Sequence, residues 1–189
     1  SSDEIFYLAG ELCKEHGFRV GNILDRNKLF DLQNRSEELL ALRRGLSLVA
    51  RARQSCKGLS LKLRRAGFSE NSISIALEKI ANFGYVNDSE FANLWVRARI
   101  DRGVDSRKKM LFSLVQRGIP RDIAEMAIDN EYSPEQEFQV CKNVTRRLLA
   151  QKSKGSTNKN RIARQLFQKG FKNQHIVQVL GDLGLVNIK

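Results

Sequence analysis

The chain has 189 residues, 41% of them hydrophobic and 7% aromatic, with two prolines, which suits packed helices in one large domain or two to three small modules rather than a sandwich or barrel. Its formal net charge of +12, from 33 basic and 21 acidic side chains, points to a polyanion or an acidic protein groove as partner. No apolar run is long enough to span a bilayer, and no n-region followed by an h-region is present.

Residues 3–38 carry eight acids against five bases and read as a small N-terminal appendage, residues 1–37. Ile5–Cys13 suits a short helix, and Asp25-Arg26-Asn27 between Val20–Leu24 and Lys28–Leu32 reads as a hairpin turn. From about residue 36 the chain becomes helical, with Leu39, Leu42, Leu46 and Val49 near a 3.6-residue period. Leu59, Leu63 and Ala66 continue in a second helix ended by Gly67, a natural left-handed C′ residue. Ser69 caps a third helix, with Ile73, Ala76, Leu77 and Ile80 as its buried stripe.

The next stretch, GYVNDSEFANLWVRAR from Gly84 to Arg99, opens another helix. Asn87 suits the N-cap with Glu90 at N3, and Val86 and Phe91 are placed for a hydrophobic staple. Phe91, Trp95 and Ala98, at i, i+4 and i+7, read as a core stripe rather than as platforms for stacked bases. Asp88 and Glu90 read as helix-start acids rather than a catalytic or Mg²⁺-binding pair. Ser133-Pro134-Glu135-Gln136 is a further capping box, ahead of Phe138, Cys141, Val144 and Leu148 on one helix face. Lys152–Asn160, KSKGSTNKN, reads as a loop.

The three-helix pattern recurs. LRRAGFSENSISIAL (63–77), LVQRGIPRDIAEMAI (114–128) and LFQKGFKNQHIVQVL (166–180) share a leucine, a polar pair, a glycine, an apolar residue and a new amphipathic helix. Gly67, Gly118 and Gly170 stand 51 and 52 residues apart, and the exits IANFGYVN (80–87) and LGDLGLVN (180–187) match. A period of this size signals tandem supersecondary units. The expected fold is an all-α, elongated array of three three-helix repeats, at 38–83, 84–131 and 132–189, behind the appendage.

The 84–99 stretch, with Gly103, Arg107 to Lys109 and the LVQRGI turn, resembles the second repeat of the RecX family of recombination regulators. Ser55, Leu59, Leu63 and Ala66-Gly67-Phe68, and Leu166 with Lys169-Gly170-Phe171, are similar to the flanking repeats. The resemblance covers roughly residues 38–183. It implies a non-enzymatic modulator of the RecA recombinase that lies in the groove of the nucleoprotein filament, bridges protomers and inhibits ATP hydrolysis and strand exchange. Many members also bind DNA directly. Where family members usually carry Glu before the leucine of the middle helix, this chain has Gly58 and Ser113, so no contact transfers from those positions.

Cys13, Cys56 and Cys141 are isolated and no CxxC is present, which suits a reducing cytosol and argues against a metal site or disulfide frame. His16 and His175 are distant in sequence from every cysteine, and a surface or capping role is expected for His175. No phosphate loop, dinucleotide-binding turn, nucleophile elbow or HExxH is present, so neither an enzyme nor a cofactor is expected. Between Leu42 and Phe68 stand eight basic residues and no acid, and from Lys142 to Lys172 ten and no acid. Such blocks suit phosphate tracking or an acidic groove.

The expected contact residues are Lys57, Lys62, Arg64, Arg65, Arg107, Lys108, Lys109, Arg161 and Arg164, on the middle helices of the repeats. The expected partners are a RecA filament and single- or double-stranded DNA, with the chain a cytoplasmic monomer. The alternative is a stand-alone basic DNA-binding protein. The acidic residues 1–35 would then be placed to cover the basic groove in the free chain.

Overall fold

The computed structural model describes residues 7–150 and 159–184, and among these all regular structure is helical. The helices are α1 (Gly10–Glu15), α2 (Arg26–Arg51), α3 (Cys56–Arg65), α4 (Glu70–Asn82), α5 (Asp88–Arg102), α6 (Arg107–Gln116), α7 (Arg121–Glu131), α8 (Pro134–Ala150), α9 (Lys159–Gln168) and α10 (Asn173–Asp182). They form two compact units that divide after Asn87. Of the expected loop Lys152–Asn160, residues 152–158 lie outside the described residues while Lys159 and Asn160 open α9; the repeated exit lies outside them from residue 185 onward.

In the first unit, α2 packs along α4 and α3 closes on both, burying Ala41, Leu59, Leu63, Ile73, Ala76, Ile80 and Val86. The expected hairpin is a helix instead. Asp25 is an N-cap whose carboxylate accepts from the Asn27 N–H at 3.2 Å, so Lys28–Leu32 lies inside α2. Leu32 and Ser36 are buried one turn apart, whereas Val20 and Ile23, the apolar half of the supposed strand, stand in solvent. Helix α2 therefore begins at Arg26, well ahead of residue 36. Helix α1 is seated on it: the buried Ala9 N–H donates to Ser36 Oγ at 2.6 Å, and Leu12 is buried.

Each short helix–helix turn is built on the recurring glycine. Gly67, Gly118 and Gly170 have φ of 91°, 85° and 86°, a left-handed conformation that costs a side chain far more than it costs glycine. The residue after each (Phe68, Ile119, Phe171) donates its N–H back to the leucine carbonyl five residues earlier, which satisfies an otherwise orphaned helix-end acceptor.

The second unit holds one continuous core running from Ala92 through Tyr132 to Leu180. On α5 the buried residues are Ala92 and Val96, while Ala98 is exposed and Phe91 and Trp95 are half-buried against the core. The expected stripe is thus rotated by one position, because α5 meets α7 through its small residues. Val86 and Phe91 do not form the expected staple; Val86 is buried in the first core and Phe91 packs on the second. The capping box of α8 forms as expected: Ser133 N–H donates to Gln136 Oε1 at 2.8 Å and Gln136 N–H to Ser133 Oγ at 3.2 Å.

Cys141 is wholly buried on α8, and burial, with the nearby Glu137 carboxylate adding to it, pushes its thiol up to about 12. Only the thiolate is a competent nucleophile. Native protein is therefore expected to leave Cys141 unmodified under a thiol-alkylating reagent at neutral pH while the partly exposed Cys13 and Cys56 react; mass spectrometry of the alkylated sites reads this directly.

Helix α4 starts under a clamp from α2. The Glu37 carboxylate accepts from Ser69 N–H at 2.9 Å, Ser69 Oγ at 2.6 Å and Ser72 Oγ at 2.8 Å. Burial pushes its pKa up, but the two Ser69 bonds and the Ser72 bond outweigh that and hold it below 4.5. The folded value is lower than the unfolded one, so this stabilisation is fully present above about pH 4.5 and is lost as pH falls through the folded value. Glu37→Ala should cost roughly 1–2 kcal/mol at pH 7 in urea unfolding, and the difference from the parent chain should shrink in acid below that window.

Candidate interaction surface

The middle helices α3, α6 and α9 each start at a polar residue and end at the recurring glycine, and each turns one buried pair inward: Leu59 and Leu63, Met110 and Leu114, Ile162 and Leu166. Ser55 accepts from Gly58 N–H at 3.1 Å and Ser106 from Lys109 N–H at 3.2 Å, so both α3 and α6 are capped by serine. At Gly58 a Cβ would sit 2.9 Å from Ser55 Oγ; the glycine leaves that cap room.

The nine expected contact residues divide into two groups. Lys57, Arg65, Lys108, Arg161 and Arg164 are exposed and form no ion pair with another described residue. The other four are engaged within the chain. Lys62 donates to Gln54 Oε1 at 2.8 Å. Arg64 grips Glu70 through Nε at 2.5 Å and Nη2 at 2.7 Å, and this hydrogen bonding holds the Glu70 carboxyl below its usual range. Lys109 pairs with the buried Asp105 at 2.6 Å.

Arg107 is a structural residue. Its guanidinium donates to the carbonyls of Ile128, at 3.4 Å, and Tyr132, and pairs with Asp129, and its own N–H donates to Glu137 Oε1 at 2.9 Å. Tyr132, fully buried, returns the tie by donating its hydroxyl to the Asp105 carbonyl at 3.1 Å. Burial foremost, then the Glu137 charge, pushes that phenol well above its usual range.

Histidine 175 departs from expectation. It is 5% exposed rather than superficial, with Nδ1 3.6 Å from Oε2 of the wholly buried Glu137 and its ring edge-on to Phe138 at 5.9 Å. Its acidic neighbour comes from α8, nearly forty residues away, which no local spacing reveals.

The faces of Trp95 are also occupied. The Arg99 guanidinium lies 4.9 Å and that of Arg117 5.1 Å from the ring centroid, a cation–π clamp, and Arg97 is held to Glu131 at 2.6 and 2.7 Å. In the first unit, Arg44 joins Lys62 and Arg65 around a cavity of about 250 Å³ floored by Leu48 and Ala66. The acidic N-terminal segment meets α2 rather than these cations: Glu11 pairs with Arg43, and Glu15 lies 3.6 Å from Arg35. Among the described residues, no group of His, Cys, Asp or Glu is arranged to hold a metal, and no helix is long and apolar enough to cross a membrane.

The sequence profile of the second three-helix domain of RecX matches residues 87–128, which takes in α5, α6 and most of α7. The regulatory protein RecX of Clostridium acetobutylicum is 26% identical over 179 residues, covering 92% of this chain and 82% of that protein. The regulatory protein RecX of Caldanaerobacter subterraneus subsp. tengcongensis is 28% identical over 133 residues, 70% of this chain and 65% of that one. The chain is similar to RecX regulatory proteins along most of its length. The crystal structure of RecX from Lactobacillus salivarius superposes with a TM-score of 0.70 at 23% identity, over 79% of this chain and 98% of that one, a likeness of fold.

RecX is a family of regulatory proteins, and a regulator acts by contact, so the accessible groups matter most. On the middle helices those are the five exposed cations, together with four large apolar side chains that the sequence reading passed over: Leu61, Phe112, Val115 and Phe167. Their signal was present in the sequence, since each falls opposite the buried pair.

Arg107 and Lys108 are adjacent yet opposite in role, and that difference is measurable. Arg107→Ala should cost about 2 kcal/mol in urea unfolding, through lost charge-assisted bonds to Tyr132 and Asp129. Lys108→Ala should stay within about 0.5 kcal/mol of the parent.

Proposed function

We propose that this chain regulates a RecA-type recombinase by binding in the groove of the recombinase–DNA filament, bridging neighbouring protomers and slowing ATP hydrolysis and strand exchange. Similarity to RecX regulatory proteins supports the regulatory role. The observation that carries the reading further is the set of exposed cations on the middle helices, Lys57 and Arg65 on α3, Lys108 on α6, and Arg161 and Arg164 on α9, backed by two long acid-free blocks. Phosphates and acidic side chains are the two things such a set attracts, and a recombinase filament on DNA offers both.

The mechanism is differential binding. A chain that touches two protomers at once stabilises whichever filament state presents those contacts, and by linkage it disfavours the states through which ATP hydrolysis and strand exchange proceed. No nucleophile, metal or cofactor is required. The proposal places the chain in recombination and DNA repair in the cytoplasm, as a monomer. The acid-free blocks also suit direct binding of single- and double-stranded DNA without a recombinase. Five phosphate contacts would then give a log–log salt slope of about −3.5 on single strands.

Recombinase ATPase on single-stranded DNA, titrated with this chain beside its binding to the same DNA alone, separates the two. The expected result is inhibition at concentrations well below those that coat bare DNA. Inhibition that follows saturation of bare DNA, or none, assigns the chain to general DNA binding.

A further inference from the structure

The middle helices carry a feature their own fold does not use. Counted back from the turn glycine, the buried pair always stands at the eighth and fourth positions, and all six side chains are 0% exposed. At 100° per residue, the sixth position points directly away from that pair. Leu61 and Phe112 stand there, with Arg164 in the third of these helices, and at the third position stand Val115 and Phe167, with Arg64 in the first; the four apolar side chains have exposures of 38%, 63%, 42% and 62%. A single exposed apolar side chain is ordinary, but repetition on the outward face of equivalent helices marks an interaction surface.

In the second unit this face adjoins a cavity of about 380 Å³ that Phe167 lines together with Lys108, Gly170, Phe171 and Lys172. Phe112 lies one turn beyond Lys108 on α6, so both share a helix face. Lys108 and Lys172 are exposed. The one carboxylate in the lining, Glu137, is wholly buried, and one of its oxygens is already taken by the Arg107 N–H. The rim is therefore cationic around an apolar centre.

We infer that this patch grips the protein component of the filament: an acidic segment of the recombinase whose apolar side chain enters the cavity beside Phe167 while its carboxylates meet Lys108 and Lys172. The inference rests on the filament reading above. Protein is favoured over nucleic acid by what recurs. Stacked bases require an aromatic ring, yet the four apolar occupants of these six positions include leucine and valine, and the other two are Arg64 and Arg164, so what recurs is apolar size in company with a cation. Burial against another apolar side chain uses that property, and it gains little from phosphate or sugar.

The test compares the parent chain with Phe112→Ser/Phe167→Ser and, separately, with Lys172→Glu, whose new charge sits favourably at the start of α10 and leaves folding undisturbed. Each is titrated against bare single-stranded DNA and against recombinase filament on the same DNA. The expected result for Phe112→Ser/Phe167→Ser is bare-DNA affinity within about twofold of the parent and filament affinity lower by about tenfold or more, as for loss of an interface anchor; Lys172→Glu is expected to lose several-fold more on filament than on bare DNA. Equal losses on both targets make the patch a nucleic-acid platform, and no loss on either removes it from the interface; each overturns the inference. A parent chain without preference for filament over bare DNA overturns the filament reading with it, and that outcome is visible before any variant is measured.

Discussion

The N-terminus of α6 can approach the α9–α10 turn only because residue 170 is glycine. Its φ of 86° already disfavours a side chain, and a Cβ there would lie 2.8 Å from Ser106 Oγ and 3.2 Å from Lys108 Cβ. The closeness lets Ser106 Oγ donate to the Lys169 carbonyl at 2.7 Å and sets Arg107 where it can reach both Tyr132 and Glu137. A carboxylate buried as completely as Glu137 would be costly without such donors. One backbone conformation thus ties the α5–α7 set to the α8–α10 set, and the continuous core of the second unit follows from it.

That same junction explains why the basic side chains cannot be treated as one population. Arg107 uses the planar fork of a guanidinium to serve two carbonyls and a carboxylate at once, a task a lysine ammonium could not perform. Lys108, next in sequence, projects outward from the same turn and contributes only charge to its surroundings. Arg64 with Glu70, and Lys109 with Asp105, are likewise committed inside the fold. The surface that remains is sparser than the +12 of the sequence suggests, and part of it lies on the outward faces of the middle helices.

The architecture was legible because its signals are local. A glycine every 51 to 52 residues, serine caps and a 3.6-residue apolar period each act within a few residues of themselves, and the Ser133–Gln136 box forms as its spacing requires. The misreadings share a physical cause. Asp25 serves a turn or an N-cap equally well, and what decides for the helix is the burial of Leu32 and Ser36 one turn apart, with Ser36 accepting from the Ala9 N–H. The α5 stripe shifts from Phe91 and Trp95 to Ala92 and Val96 because the close passage of α7 admits only small residues. His175 is buried beside Glu137, and Arg107 is drawn inward by Tyr132, through contacts made across twenty to forty residues of chain. The candidate surface was legible in its charge and illegible in its apolar half, since an outward leucine resembles an inward one until the helix is placed.

On the proposed reading, charge and apolar exposure do different work, because a regulator of a filament must tell it from bare DNA. Cations raise the encounter rate with any polyanion, but they discriminate poorly between phosphate and carboxylate and are weakened by salt. Apolar side chains contribute nothing to steering; they add free energy only where a partner supplies matching apolar surface, which a phosphate backbone does not. A face carrying Lys108 and Phe112, or Lys57 and Leu61, combines a fast, unselective encounter with a slow, selective grip. Repeating the combination on successive middle helices lets individually weak contacts act together. It also accounts for exposed phenylalanines that the chain's own core never uses.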